Sequence, residues 1–364
     1  MPNPAAPLVD VIIPVHTPAR PVDRAVASAL AGGLPAGPGG VQVTVVCHNV
    51  DPALIRERLD TADRDRVELV AFRDDTRNPA GARNLGIERT RAPWLSFLDS
   101  DDTLDPGALA RWLEIGRRRG SAAVLARVSR EGGAVVRTPV TRPWRSRDLD
   151  AVADRLAYRT RVSGLFRTEA IRRLGLRFPV AYATGEDQSF SLRLHAEAGR
   201  IDYARGRPGY HLRDDATDRI TDAASPLAEV LQAFTDLAAS PWLRSRPLAL
   251  RRGYAVKVLR LHVFDEVTAR TRRGSWSAQD AAAARDAVRI LLAEAPGAER
   301  ALCRADRDLV DLLARGETDR AAVTRAAEAR RRFGTPATLV PRELSRLLHR
   351  DGSLRFMAAA ALMG

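Results

Sequence analysis

Apolar runs alternate with amphipathic stretches from the N-terminus to about residue 212. The segment "LVDVIIPV" (8–15) is almost wholly apolar, as a strand buried on both faces must be. The next stretch, "PVDRAVASALAGG", spaces its apolar residues as a helix does and closes on Gly32 and Gly33. "VQVTVVC", "VELVAF" and "WLSFLD" read as further strands, separated by the helical patterns "PALIRERLDTA" and "PAGARNLGIERT". Such alternation predicts an α/β fold, a mostly parallel sheet flanked by helices. "PGALARWLEIGRRRG" continues as a helix, and "AAVLARVSR" and "AVVRTPV" as sheet. "SGLFRTEAIRRLGL" reads as a strand running into a helix, "GEDQSFSLRLHAEAG" as a helix, and "IDYA" and "PGYHLR" as short strands.

Beyond about Ser225 the pattern changes to long alanine- and arginine-rich helical stretches, among them "ALRRGYAVKVLRLHVFDEV" and "ERALCRADRDLVDLLARG". The expected organisation is therefore an α/β catalytic domain over 1–220 and an all-α C-terminal domain over 221–364, with the boundary in 214–225. The C-terminal helices are expected to serve packing or homo-oligomerisation.

Composition narrows the function classes. The net charge is +13, supplied almost entirely by arginine, since Lys257 is the only lysine. Solvated helix faces account for much of that charge, and peripheral contact with an anionic membrane surface is the sharper expectation. Nucleic acid is not expected as a partner, because aromatics make up only 5% and do not interleave with the basic residues. The two cysteines, Cys47 and Cys303, lie far apart without metal-ligand spacing. No apolar run is long enough to cross a bilayer, and no basic-then-apolar leader opens the chain. A cytoplasmic location is expected, extending to the inner membrane face.

Three polar clusters fall at strand ends, where ligands bind in an open parallel sheet: "PVHT", "CHNVD" and "DSDD". The carboxylates Asp99, Asp101 and Asp102 cannot crowd together without a counter-charge, and a hard cation such as Mn²⁺ or Mg²⁺ suits them. A calcium loop counted from Asp99 fails, because Leu104 and Ala110 stand where glycine and glutamate are needed. "FLDSDDTL" also looks like the haloacid-dehalogenase phosphatase signature, with Asp99 as nucleophile and Asp101 as acid/base. Three strand–helix units precede it, however, whereas that motif usually opens its fold.

The order "VDVIIPVHTPARPVDRAVASAL", "VTVVCHN", "GARNLGI", "WLSFLDSDDTLDPGAL" and "GEDQSFSLRL" resembles the family 2 glycosyltransferases of the GT-A fold. The resemblance implies a metal-dependent, inverting transferase for a nucleotide-diphosphate sugar donor and a hydroxyl acceptor on a cell-envelope polysaccharide or glycolipid. By the same resemblance, Asp101 matches the metal ligand, and Asp99 the carboxylate near the ribose and a second metal contact. Pro14, His16 and Thr17 match the turn that cradles the nucleotide, and Arg83 a nucleotide-proximal position. Glu186 and Asp187 match the catalytic-base region, with Asp187 the better match for the base. The chain departs from the family after its second strand, where Cys47, His48 and Asn49 replace an Asp-Asp-Gly-Ser-like turn. His48 and Asn49 are then the candidates to contact the nucleobase. A homologue that keeps the fold and binds nucleotide sugars without turnover is the remaining alternative. Arg219 and Thr221 resemble a variable segment that closes over the nucleotide, and His211 is expected to be a surface or core residue.

Overall fold

The computed structural model describes residues 6–213 and 225–362; Arg219, Thr221 and nearly all of the expected boundary lie outside the described residues. Strands β1 (Val9–Val15), β2 (Val41–His48), β3 (Val67–Phe72) and β4 (Trp94–Phe97) form at the apolar runs. They are joined by α1 (Val22–Leu30), α2 (Pro52–Arg58) and α3 (Ala80–Arg89). β1 is central and parallel to both β2 and β4. Its side chains alternate between two cores, as a strand's must. Val9, Val11, Ile13 and Val15 pack with α1, and Ile12 packs beneath α3. That second approach is close: a Cβ at Gly86 would lie 2.6 Å from the Ile12 side chain, so only glycine lets α3 sit there.

The chain continues through β5 (Thr103–Leu104), α4 (Ala108–Arg119), β6 (Ala123–Ala126), β7 (Val128–Arg130) and β8 (Val135–Val136). β9 (Gly164–Arg167), α5 (Thr168–Arg173), α6 (Asp187–Glu197), β10 (Ile201–Ala204) and β11 (Tyr210–Leu212) complete the α/β part. The main sheet has seven strands in the order β10-β6-β9-β4-β1-β2-β3, and β9 alone runs antiparallel to its neighbours β4 and β6. A second sheet, β5-β11-β7-β8, has four strands. "AAVLARVSR", expected as one strand, breaks at Arg127 and feeds both sheets. β5 was not expected; it is two residues long and exists because β11 pairs with it.

Among the described residues after 225, the regular elements are helical: α7 (Leu227–Ala239), α8 (Pro241–Arg244), α9 (Leu248–Val258), α10 (Phe264–Arg273) and α11 (Ala278–Glu294). α12 (Arg304–Ala314), α13 (Arg320–Ala329), α14 (Pro336–Leu339) and α15 (Ser353–Ala361) follow. A π-turn, Leu259–Val263, joins α9 to α10 without a break. The helix expected over 299–316 is split, because Cys303 Sγ accepts the Asp306 N–H and restarts the helix at α12. The helical core, built on Leu231, Phe234, Tyr254, Phe264 and Val288, takes in Leu192 of α6. Phe356 of α15 packs on Tyr158 with ring centres 4.8 Å apart. The helices therefore share buried surface with the α/β part. Among the described residues, no helix is long and apolar enough to cross a membrane.

Candidate active site

Successive strands run outward on one side of β1 as far as β3, and the chain then returns to place β4 on its other side. Connections leaving β1 and β4 diverge at this switch point, which opens a crevice beyond their carboxyl ends. A cleft of about 410 Å³ lies there, within the ordinary range for a ligand site. It brings together Pro14 and His16 after β1, His48 at the end of β2, and Asp99, Asp101 and Asp102 after β4. Glu186 and Asp187 close the opposite wall at the start of α6, reached through the Thr184–Gly185 turn. Gly185 has φ +80°, and a Cβ there would also press on the Phe234 ring at 3.1 Å.

Counter-charge for the carboxylates comes from arginines. Arg83 of α3 donates to Asp99 Oδ1 at 2.7 Å and to Glu186 Oε1 at 2.8 Å. Arg161 donates to Asp99 Oδ2 at 2.7 Å. Arg20, ahead of α1, lies 2.5 Å from Asp101 Oδ2. Burial alone would raise the Asp99 pKa, but Arg83 and Arg161 overcome it and hold the carboxyl below the usual range. Asp102 is placed differently: burial and the neighbouring Asp99 charge push it up to about 7. It accepts from the Tyr210 hydroxyl at 2.8 Å and from the Arg213 backbone N–H at 2.9 Å, so it ties the Asp turn to β11. Glu186 is raised by burial, with Arg83 opposing that rise.

Among the described residues, no group of three His, Cys, Asp or Glu side chains could hold a metal ion. Mg²⁺ or Mn²⁺ does not need one, since one or two carboxylates suffice when phosphate oxygens and water fill the shell. Asp101 fits that role. Both oxygens of Asp99 are engaged by guanidinium groups, and Asp101 is paired with Arg20, so a cation at either carboxylate would share it with an arginine.

Two other expected residues fall outside the cleft lining. Thr17 accepts the Ala19 N–H within its own turn. Asn49, at φ 58°, accepts from the Asp74 N–H and donates to the Thr76 carbonyl, so it pins two loops together. His48 does line the cleft, with Nε2 2.7 Å from Asp74 Oδ1. His211 sits between Ser129 and Asp105, at 2.6 Å and 2.7 Å, away from the carboxylate turn. The sequence reading missed Arg20, Arg161 and Tyr210. The position of Arg20 just before α1 was a usable signal; "YRTRVSG" offered none for Arg161.

This sheet order, switch-point cleft and carboxylate pair define a GT-A-like fold, and known proteins agree. Residues 10–175 match the model described as Glycosyl transferase family 2. The chain is 39% identical over 113 residues to the succinoglycan biosynthesis protein ExoO of Rhizobium meliloti, covering 30% of this chain and 29% of that one. It is 27% identical over 128 residues to the poly(ribitol-phosphate) beta-N-acetylglucosaminyltransferase TarP of Staphylococcus aureus, covering 34% of this chain and 39% of that one. It thus spans well under half of these relatives' lengths. In fold it is similar to S. aureus TarS 1-349, crystallised with UDP-GlcNAc, at a TM-score of 0.71 and 15% identity over 89% of this chain and 91% of that one. The phosphatase reading falls away, since Asp99, its required nucleophile, is held by two arginines and the matched family is another.

Proposed function

We propose that the chain transfers a sugar from a nucleotide-diphosphate donor to a hydroxyl of a polysaccharide or glycolipid acceptor, with inversion. The observation that carries this reading is one cleft with Asp101 on one wall and Asp187 on the other. Glycosyl transfer separates these needs: negative charge grows on the leaving diphosphate while the acceptor hydroxyl gives up a proton. Asp187 is assigned as the base. Asp101 would hold Mn²⁺ or Mg²⁺, which supplies Lewis-acid stabilisation of the diphosphate when bound. Arg83 and Arg161 hold Asp99, leaving its turn rigid beside the expected ribose position. Pro14 and His16 present the β1 turn to the nucleotide, and His48 faces the base. The UDP-GlcNAc complex of TarS supports a uridine donor, and relatives named for succinoglycan biosynthesis and poly(ribitol-phosphate) glycosylation support an envelope polymer as acceptor.

The same reading places the catalytic unit in 1–220 and a helical unit in 221–364, and puts the enzyme in the cytoplasm. Exposed Phe333, Leu344 and Leu348 in an arginine-rich stretch support peripheral contact with anionic lipid there. Isothermal calorimetry with UDP, GDP, UDP-GlcNAc and GDP-mannose, each with and without Mn²⁺, tests the donor assignment. At least one should bind, and more tightly with the metal. No binding by any of them would sink the reading, and binding without release of the diphosphate in the presence of acceptor polymers would leave only a sugar-nucleotide-binding homologue.

A further inference from the structure

α9 carries the chain's only lysine, Lys257, and buries it to 1% exposure. Its Nζ donates to Gln188 Oε1, and Gln188 Nε2 donates to Asp187 Oδ1 at 3.0 Å. The chemistry of the ends sets the amide's orientation: an ammonium only donates and a carboxylate only accepts. The Gln188 oxygen must therefore face Lys257, and its NH₂ must face Asp187. Phe234 of α7 covers the ammonium, with Nζ 5.4 Å from the ring centre. His262 lies against the same ring at 3.9 Å. His262 lies within the π-turn that follows Lys257, a local irregularity of a kind that recurs at functional sites.

We propose that Lys257 is a positioning residue for Asp187, acting through Gln188 to fix one carboxylate oxygen and leave the other to meet the acceptor hydroxyl. This rests on the reading of Asp187 as the base. It makes the C-terminal helices part of the catalytic apparatus. Burying an amine on a neutral amide is costly, and a merely structural position would be filled better by an apolar side chain. Burial drives the Lys257 amine down to about 7, while the Asp187 charge acts to raise it. The titratable groups facing it are Asp187 from α6 and His262 from its own continuous helix, and α7 contributes the Phe234 ring. Lysine remains a donor whether or not it carries the extra proton, so the orientation holds across that titration.

Having one lysine makes the test direct. Protein grown with ¹³Cε-lysine shows one side-chain signal, followed by NMR against pH in the full chain. The wild type should titrate near 7 instead of the ordinary ~10.4. Asp187→Asn should lower the midpoint further, because a favourable negative charge is lost, and Gln188→Leu should move the resonance. A midpoint above 10, or one indifferent to both substitutions, overturns the relay. Turnover is read as UDP released from UDP-GlcNAc, or from whichever nucleotide sugar calorimetry selects. Lys257→Met and Gln188→Leu should each lower kcat tenfold or more, with donor affinity within twofold of wild type. Full activity in both, beside an inactive Asp187→Asn, overturns the relay alone. Near-normal activity in Asp187→Asn and Glu186→Gln alike overturns the base reading beneath it. If Lys257→Met fails to fold, Gln188→Leu and the wild-type titration still decide the matter.

Discussion

Arg83 joins Asp99 to Glu186, with one guanidinium nitrogen 2.7 Å from the first and the other 2.8 Å from the second. A single buried side chain therefore ties the Asp turn after β4 to the start of α6, which are the two walls of the cleft. Removing it would leave Glu186, otherwise largely buried, without this counter-charge. Arg83→Met should cost about 3 kcal/mol, the low end for breaking a buried pair because Asp99 stays partly exposed and keeps Arg161. Arg83→Lys should recover little, since a point charge cannot serve two carboxylates as a planar fork does. Urea unfolding at pH 7 checks this, and a loss under about 1 kcal/mol would mean the clamp is not structural.

Asp101→Asn should remove the metal dependence of diphosphate binding and leave the fold unchanged. The amide keeps the shape of the side chain but loses the charge that a hard cation needs. Calorimetry with UDP should give the same affinity with and without Mn²⁺ in the variant. A metal enhancement equal to wild type would move the cation site elsewhere.

Asp187→Asn should retain donor binding while transfer falls by roughly two to four orders of magnitude, the usual worth of a positioned base. Glu186→Gln should act more mildly on turnover, because the Glu186 carboxylate is taken up by Arg83. The reverse ranking in steady-state kinetics would show that the roles of the neighbours are exchanged.

Lys257 predicts a pH dependence of stability. Its folded-state value is lowered to about 7, so between there and the unfolded value near 10.4 the unfolded chain binds a proton that the folded chain does not. Stability should rise with pH across that window, and the full penalty applies below 7. Lys257→Met should therefore be more stable than wild type at pH 6.5, by an amount on the order of a few kcal/mol, and the advantage should shrink by pH 9.5. Tyrosine and cysteine titrations cancel in the difference between the two proteins. Paired urea titrations at both pH values check it, and an equal offset at both would mean the amine titrates normally.

Much of the framework was legible in the one-dimensional pattern. Strands buried on both faces must be continuous apolar runs, so residues 9–15 and 41–48 announced themselves, and the carboxylates at 99–102 marked the strand end where ligands bind. The motif order also resembled that of the family whose model matches residues 10–175. What the pattern could not carry was any choice made between distant segments. β9 enters the main sheet antiparallel, and β5 exists only as a partner for β11. Asn49 pins two loops because Asp74 and Thr76 come within its reach. Arg161 meets Asp99, and Lys257 meets Gln188, across long stretches of chain that no local rule connects. Periodicity and turn chemistry act over a few neighbouring residues, so the sequence by itself determined the elements and the type of site. Side-chain partners across the cleft depend on how those elements pack, and only the tertiary structure decided which arginine neutralises which carboxylate and which helix reaches Asp187 through Gln188.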